Sequence, residues 1–289
     1  MDTARCKAFV AAVRSGSFSR AAEELHYTTS AVSQLITALE EDLQVPLFIR
    51  SRKGVTLTAD GERLYPTIYN LVRQEEKVYE TASEISGLIV GEIRISAFYS
   101  ICSTWLPGLI TRFQEHYPGV KFKIDDSIRR YVLDALNTGR ADLGFLSDHH
   151  DFAGEWVDLE LNPMMAVVSK DSPYAALDAF PVWECDHAPI IQPSHGRDLD
   201  IIEIFNKYNL SPTIVYTTRN SITAAAMANN NMGVLLVNEL STRLWSFDVK
   251  VMPLDPPQYI SLGMAVPPGS LTSPAVKTFV RFVRDAFES

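Results

Sequence analysis

A chain of 289 residues with 46% hydrophobic content and a mean hydropathy of +0.00 suits two or three compact, water-soluble units. Its apolar runs, such as 164–168 and 233–237, are too short to span a bilayer, and the sequence opens without an apolar signal core, so a cytoplasmic protein with no membrane partner is expected. The net charge of −9 argues against nucleic acid, yet residues 1–58 carry seven basic and six acidic side chains, leaving 19 and 29 to the remainder; only the N-terminal part would tolerate a polyanion.

Residues 5–13 set Phe9, Val10 and Val13 at helical spacing, and Ser15-Gly16 ends that helix. Ser17 is placed to cap a second helix, Phe18–Leu25, by accepting from an otherwise unpaired amide. A break at 26–28 leads to a third helix starting near Thr29 or Ser30 and ending at Leu43, with Val32, Leu35, Ile36, Leu39 and Leu43 on one stripe. Two short helices joined by a tight turn fit a helix-turn-helix, with Phe18, Ala22, Val32 and Leu35 in its contact slots. Ser17, Thr28, Thr29, Ser30, Ser33, Gln34 and Thr37 then become DNA-facing candidates, since hydroxyls and amides both donate to and accept from base edges. Residues 47–49 and 55–57 flank a turn carrying Arg50, Arg52 and Lys53, a hairpin whose cations suit phosphate.

These motifs are specific as a set. Gly16-Ser17-Phe18, Ala21-Ala22, Leu25-His26, Ser30-Ala31-Val32-Ser33, Leu39-Glu40, Leu43, 47–50 and 57–62 together resemble the LysR-type transcriptional regulators, closely over residues 4–65 and in architecture beyond. The resemblance implies a winged helix-turn-helix on a palindromic site in double-stranded DNA, a small-molecule effector, a homodimer or dimer of dimers, and RNA polymerase as a further partner. One departure is plain: where the family commonly has Arg or Lys in the recognition helix, this chain has Gln34, Leu35 and Thr37. That shifts the expected phosphate grip onto Arg50, Arg52 and Lys53.

Between 59 and 86, apolar residues at 64, 68, 71, 78, 82 and 85 alternate four and three, with Glu75 as the polar exception able to set register. Tyr65, Val72 and Tyr79 widen this stripe, and Pro66 predicts a bend. The stripe can bury itself on its own domain or on a second copy; the resemblance favours the second copy. Residues 87–91 read as a hinge.

From residue 92 the pattern becomes strand–helix alternation: strands at 92–96, 120–124, 143–146, 164–168, 188–192, 213–217, 233–237 and 260–266, and helices at 103–116, 131–137, 198–208 and 221–230. A last helix follows Ser273-Pro274 and returns to the first of two α/β units with largely parallel sheets. Ligands of such sheets lie beyond the carboxyl ends of the strands. Hydroxyls and helix starts there, with Arg129, Arg130, Arg197 and Arg219 nearby, point to a small organic anion. The family's effector domain is similar to periplasmic binding proteins, and position by position the resemblance implies effector contacts at Ser100, Arg129, Ser147, Gln192, Pro193, Ser194, His195 and Asn220; Ser103, Ser127 and Arg219 join them from the residue pattern. Asn238 stands where the family commonly has proline.

Other chemistry is weighed and set aside. Asp148-His149-His150-Asp151 holds adjacent histidines that cannot easily face one ion, Cys102 lacks a redox partner near in sequence, and Ser194-His195 has no acidic orienter at recognisable spacing. Three distant cysteines suggest reduced thiols. No metal, cofactor or catalytic set is expected. The predicted architecture is thus an all-α winged helix-turn-helix at 1–58, a linker helix at 59–86, a hinge at 87–91, and an α/β effector domain at 92–289. Within that domain the subdomains take 92–161 with 266–289, and 162–265. The competing reading is a cytoplasmic small-molecule-binding protein or enzyme with an N-terminal oligomerisation appendage.

Overall fold

The computed structural model describes every residue except Met1, Arg52, Lys53, His149, Asp151, Leu244 and Ser289. The chain divides into two units, residues 1–91 with 138–140, and 92–137 with 141–289.

The first unit contains α1 (Thr3–Ser15), α2 (Phe18–Leu25), α3 (Thr29–Leu43), a hairpin of β1 (Phe48–Ser51) and β2 (Gly54–Leu57), and α4 (Ala59–Ile85). Each helix starts where its cap predicts: Asp2, Ser17, Thr28 and Thr58 all accept from an amide three residues on. Val32, Ile36 and Leu39 of α3 are buried with Phe9, Ala21, Ala22 and Phe48, and the rings of Phe9 and Phe18 lie 5.3 and 5.4 Å from that of Phe48. Gly54 has φ +129°, and a Cβ there would strike the carbonyl oxygen of Gly16, to which Val55 N–H donates at 3.0 Å. The hairpin therefore sits against the turn before α2 only because position 54 has no side chain.

The linker stripe divides in two. Ile68 and Val72 are buried, and with Leu64 and Tyr65 they join the core of their own unit, whereas Val78, Tyr79 and Ile85 are 66%, 66% and 83% exposed. Glu75 does not face an open seam: Lys7 Nζ lies 2.8 Å from its carboxylate and the Thr3 hydroxyl donates to it at 3.2 Å, tying α4 to α1. The helix runs on through Pro66.

The second unit follows in the order β3 (Gly91–Ala97), α5 (Tyr99–His116), β4 (Val120–Asp126), α6 (Arg129–Asn137), β5 (Leu143–Ser147), β6 (Glu155–Ser169), β7 (Phe180–Pro181), β8 (Ile190–Gln192) and α7 (Leu199–Lys207). Then come β9 (Ile214–Thr217), α8 (Ser221–Asn229), β10 (Val234–Asn238), α9 (Glu239–Thr242), β11 (Val249–Asp255), β12 (Tyr259–Val266) and α10 (Pro274–Glu288). Strand order is β4-β3-β5-β12-β6-β10-β8-β9, with β11 beside β6 and β7. The β3–β5, β8–β10 and β8–β9 pairs are parallel, but β6 runs antiparallel to β10, β11 and β12, so the sheets are mixed rather than largely parallel.

β6 joins the two halves of this unit. Its residues up to Pro163 pair with β12, and those from Met164 pair with β10 and β11. Because β12 also pairs with β5 from Leu262 to Ala265, the return crossing falls near Tyr259, not at 265/266 as the sequence suggested. The last helix returns as expected: Pro274 opens α10, the Ser273 hydroxyl accepts from Val276 N–H at 3.4 Å, and Phe279 and Phe287 pack on Phe113 and Trp105 of α5.

Candidate functional site

In the first unit, Thr28, Thr29, Ser30, Gln34 and Thr37 lie on the exposed face of α2–α3, with Ser33 half-buried beside them. Two of the hydroxyls are already at work: Ser17 caps α2 and Thr28 caps α3. Arg50 bends back onto this face, donating to Ser33 Oγ at 3.3 Å and Thr37 Oγ1 at 3.2 Å while its guanidinium lies 5.2 Å from the Phe18 ring centre. Three expected DNA contacts are thereby one connected group. Arg52 and Lys53 lie outside the described residues.

Glu40, which the sequence reading passed over, organises the group. Its Oε1 accepts from the amides of Leu47 and Phe48 at 2.7 and 3.1 Å, and its Oε2 lies 3.7 Å from Arg50. A carboxylate near the C-terminal end of α3 thus anchors the start of the hairpin. Only its place in the Leu39-Glu40 motif hinted at such a role.

In the second unit, a cavity of about 410 Å³ opens where α5, α7, α8 and α9 begin, lined from both halves. Ser100, Ser127, Pro193, Ser194, Arg219 and Asn220 border it as expected. A second cavity of about 520 Å³ shares Phe98, Ser194, Asp198 and Asp200 with the first and is bordered by Arg129, Arg130, His195 and Arg197. Ser194, which borders both cavities, and His195, which borders the second, take left-handed backbone angles, φ 57° and 55°. Such conformations are costly for residues with a Cβ and gather at ligand sites.

Three expected contacts are absent from either lining. α5 begins at Tyr99, four residues earlier than predicted, so Ser103 falls in its second turn, where its hydroxyl donates back to Tyr99 O at 2.7 Å. Gln192 is buried behind the lining. Ser147 is 1% exposed and works as a relay: Arg129 donates to its hydroxyl at 3.1 Å and to its carbonyl, and the hydroxyl donates to Asp200 Oδ2 at 3.0 Å.

The cavity's carboxylates were not foreseen as ligand groups. Asp125, Asp126, Asp198 and Asp200 line the first cavity against one cation, Arg219. Burial and the neighbouring Asp200 push the Asp198 carboxyl up to about 7, although the Ser194 hydroxyl donates to it at 3.3 Å. The helix starts that were to receive an anion are largely served from within: Asn220 Oδ1 accepts from Thr223 N–H at 3.0 Å, and Asn238 Oδ1 accepts from the Ser241 amide and hydroxyl at 2.9 and 2.7 Å. Asn238 is therefore the cap of α9, in the position the family resemblance gives to proline.

The cysteines are all free. Cys102 lies on the fourth residue of α5 rather than at a helix start, and burial together with Asp126 and Asp125 pushes its thiol up to about 12. A thiolate is thus disfavoured there. Of the Asp148–Asp151 cluster, His149 and Asp151 lie outside the described residues, and His150 Nδ1 sits 3.0 Å from Asp148. Among the described residues no three His, Cys, Asp or Glu side chains converge as a metal site, and no helix is long and apolar enough to cross a membrane.

Two family models match the chain: "Bacterial regulatory helix-turn-helix protein, lysR family" over residues 4–62, and "LysR substrate binding domain" over residues 86–288. Among curated relatives, the HTH-type transcriptional regulator YvbU of Bacillus subtilis is 29% identical over 290 residues, covering 99% of both chains. IlvY of Escherichia coli, an HTH-type transcriptional regulator, is 27% identical over 245 residues, covering 83% of this chain and 82% of its own. Of solved structures, HinK of Pseudomonas aeruginosa is 25% identical with a TM-score of 0.61, covering 99% of this chain and 98% of its own. Full-length CbnR complexed with its target DNA has the same fold at 18% identity, with a TM-score of 0.72 and coverage of 99% and 100%.

Proposed function

This chain belongs to the LysR family of regulators, and from that premise we propose how its own residues divide the work. It is a DNA-binding transcriptional regulator with an effector-binding domain. α3 enters the major groove with Thr29, Ser30, Ser33, Gln34 and Thr37, and the hairpin holds phosphate through Arg50, Arg52 and Lys53. The observation that carries this reading is the exposed polar face of α3 with Arg50 lying across it. In the free protein Arg50 occupies Ser33 and Thr37; on DNA it turns to phosphate and frees both hydroxyls for base edges.

Two copies pair through the exposed second half of α4, where Val78, Tyr79 and Ile85 have no cover in one chain, and so present two α3 helices to a dyad. A small molecule bound where the two halves of the α/β unit meet favours one closure of β6 and β12, and the dimer passes that change to its DNA spacing. The effector contacts are Ser100, Ser127, Pro193, Ser194, Arg219 and Asn220. Footprinting on the DNA upstream of the chain's own coding region should show a protected dyad. No specific protection at low salt would overturn the reading.

A further inference from the structure

The cavity where the two halves of the α/β unit meet is charged in a way that selects among ligands. Asp125 and Asp126 end β4, and Asp198 precedes α7; among the described residues none of the three has an ion-pair partner. Asp200 is compensated through the Ser147–Arg129 relay, and Arg219 is the one cation on this lining. Against them stands a polar group with nothing to bond. Ser100 is 5% exposed, and its hydroxyl has no partner among the described residues while bordering the cavity. It sits in the first turn of α5, which, like α7, opens without a side-chain cap hydrogen bond. Asn238 borders the same space, and among the described residues its amide nitrogen has no hydrogen-bond partner.

Building on the effector reading above, we propose that this cavity takes a small amino compound: a protonated amine set against Asp125, Asp126 and Asp198, and an oxygen acceptor received by Ser100, Asn238 and the uncapped start of α5. An amino-acid-like molecule of zero or positive net charge meets both demands; a dicarboxylic acid meets only the second. Three carboxylates without an ion-pair partner around one opening repel one another and concentrate a negative field there, so the pocket favours an occupant that supplies a cation. A metal ion would supply charge too, but it needs its oxygen ligands gathered around one point. These carboxylates do not converge in that way. The two acids at the start of α7 have a simpler role as partners of the helix dipole, yet that role does not extend to Asp125 and Asp126, which end a strand.

The test is calorimetric titration of the full-length protein at pH 8 with L-ornithine, 1,4-diaminobutane, glutarate and magnesium chloride, each also added to a footprinting reaction. L-Ornithine should bind, 1,4-diaminobutane more weakly because it lacks the acceptor oxygen, and glutarate and magnesium not at all. Asp125→Asn, at an exposed strand end where the fold does not depend on it, and Asp198→Asn should each weaken ornithine by about tenfold. Binding of glutarate or magnesium in preference to the amines, no binding by any probe, or unchanged ornithine affinity in both variants overturns the proposal. If glutarate binds and alters the footprint, the effector reading survives without the amine. If ornithine binds through the aspartates but leaves the footprint unchanged, the amine site stands and the effector reading fails.

Discussion

Replacing Asp198 by Asn offers a direct measure of the unpaired charge in the cavity. The carboxyl moves from an ordinary value of 3.8 to about 7 on folding, through burial first and the charge of Asp200 second. Since the folded value is the higher one, folding takes up a proton. The stability this confers is whole below about pH 3.8 and is lost as pH rises through about 7. Between pH 5 and pH 8 that loss amounts to about 2–3 kcal/mol, at 1.36 kcal/mol for each pH unit. Asp198 keeps part of its surface toward the cavity, so screening by water reduces the figure to about 1–2 kcal/mol, or roughly 2–8 °C in Tm for a unit of this size. The groups that face Asp198 stay in place in the variant: Asp200 and Ser194 beside it, Arg129, His195 and Arg197 on the second cavity, and Asp125, Asp126 and Arg219 on the first. Thermal unfolding of both proteins at pH 5, 6, 7 and 8 should therefore show the variant gaining on the parent as pH rises, with the steepest change between 5 and 7. Two curves that stay parallel across this range would refute the reasoning.

Two further changes probe the DNA-binding half. Arg50→Ala should weaken operator binding and lower the salt dependence of affinity by about one ion, with little effect on Tm because the guanidinium is half exposed; both are read from binding isotherms at several salt concentrations. Val78→Asp combined with Ile85→Asp should shift the protein toward monomer in sedimentation and abolish dyad protection, while the core built on Ile68 and Val72 keeps the fold intact.

The first 58 residues were legible because each local signal agreed with its neighbours. A cap at Ser17, a small residue at Ala22 and a stripe through Val32, Ile36 and Leu39 all specify one packing, and that packing forms. The linker was harder, since a heptad stripe does not say what covers it. The two halves of α4 differ: Ile68 and Val72 face their own domain, and Val78 and Ile85 face outward. Strand β11 and the first part of β6 escaped notice because Pro253 and Pro163 interrupt their patterns. Pro163 is tolerated where β6 leaves one set of partners for the next, a break in the ladder where a missing N–H costs least.

At the ligand cavity, position was readable and charge was not. The strand-end rule and the family resemblance together placed Ser100, Ser127, Ser194 and Asn220 on the lining. The same helix starts suggested an anion, since free amides attract negative charge. That inference requires the amides to be free, and side chains that look like loop filler in the sequence take them up. Asn220 and Asn238 satisfy α8 and α9 from within, and Asp198 puts a carboxylate at the head of α7. Asp125-Asp126 reads in sequence as a strand-end turn, and it is one; what the sequence cannot display is that β4 ends facing α7 across the same cavity. A helix start attracts an anion only until the protein supplies one itself. Here it supplies several, so the balance of charge in the cavity runs opposite to the sum of its helix dipoles.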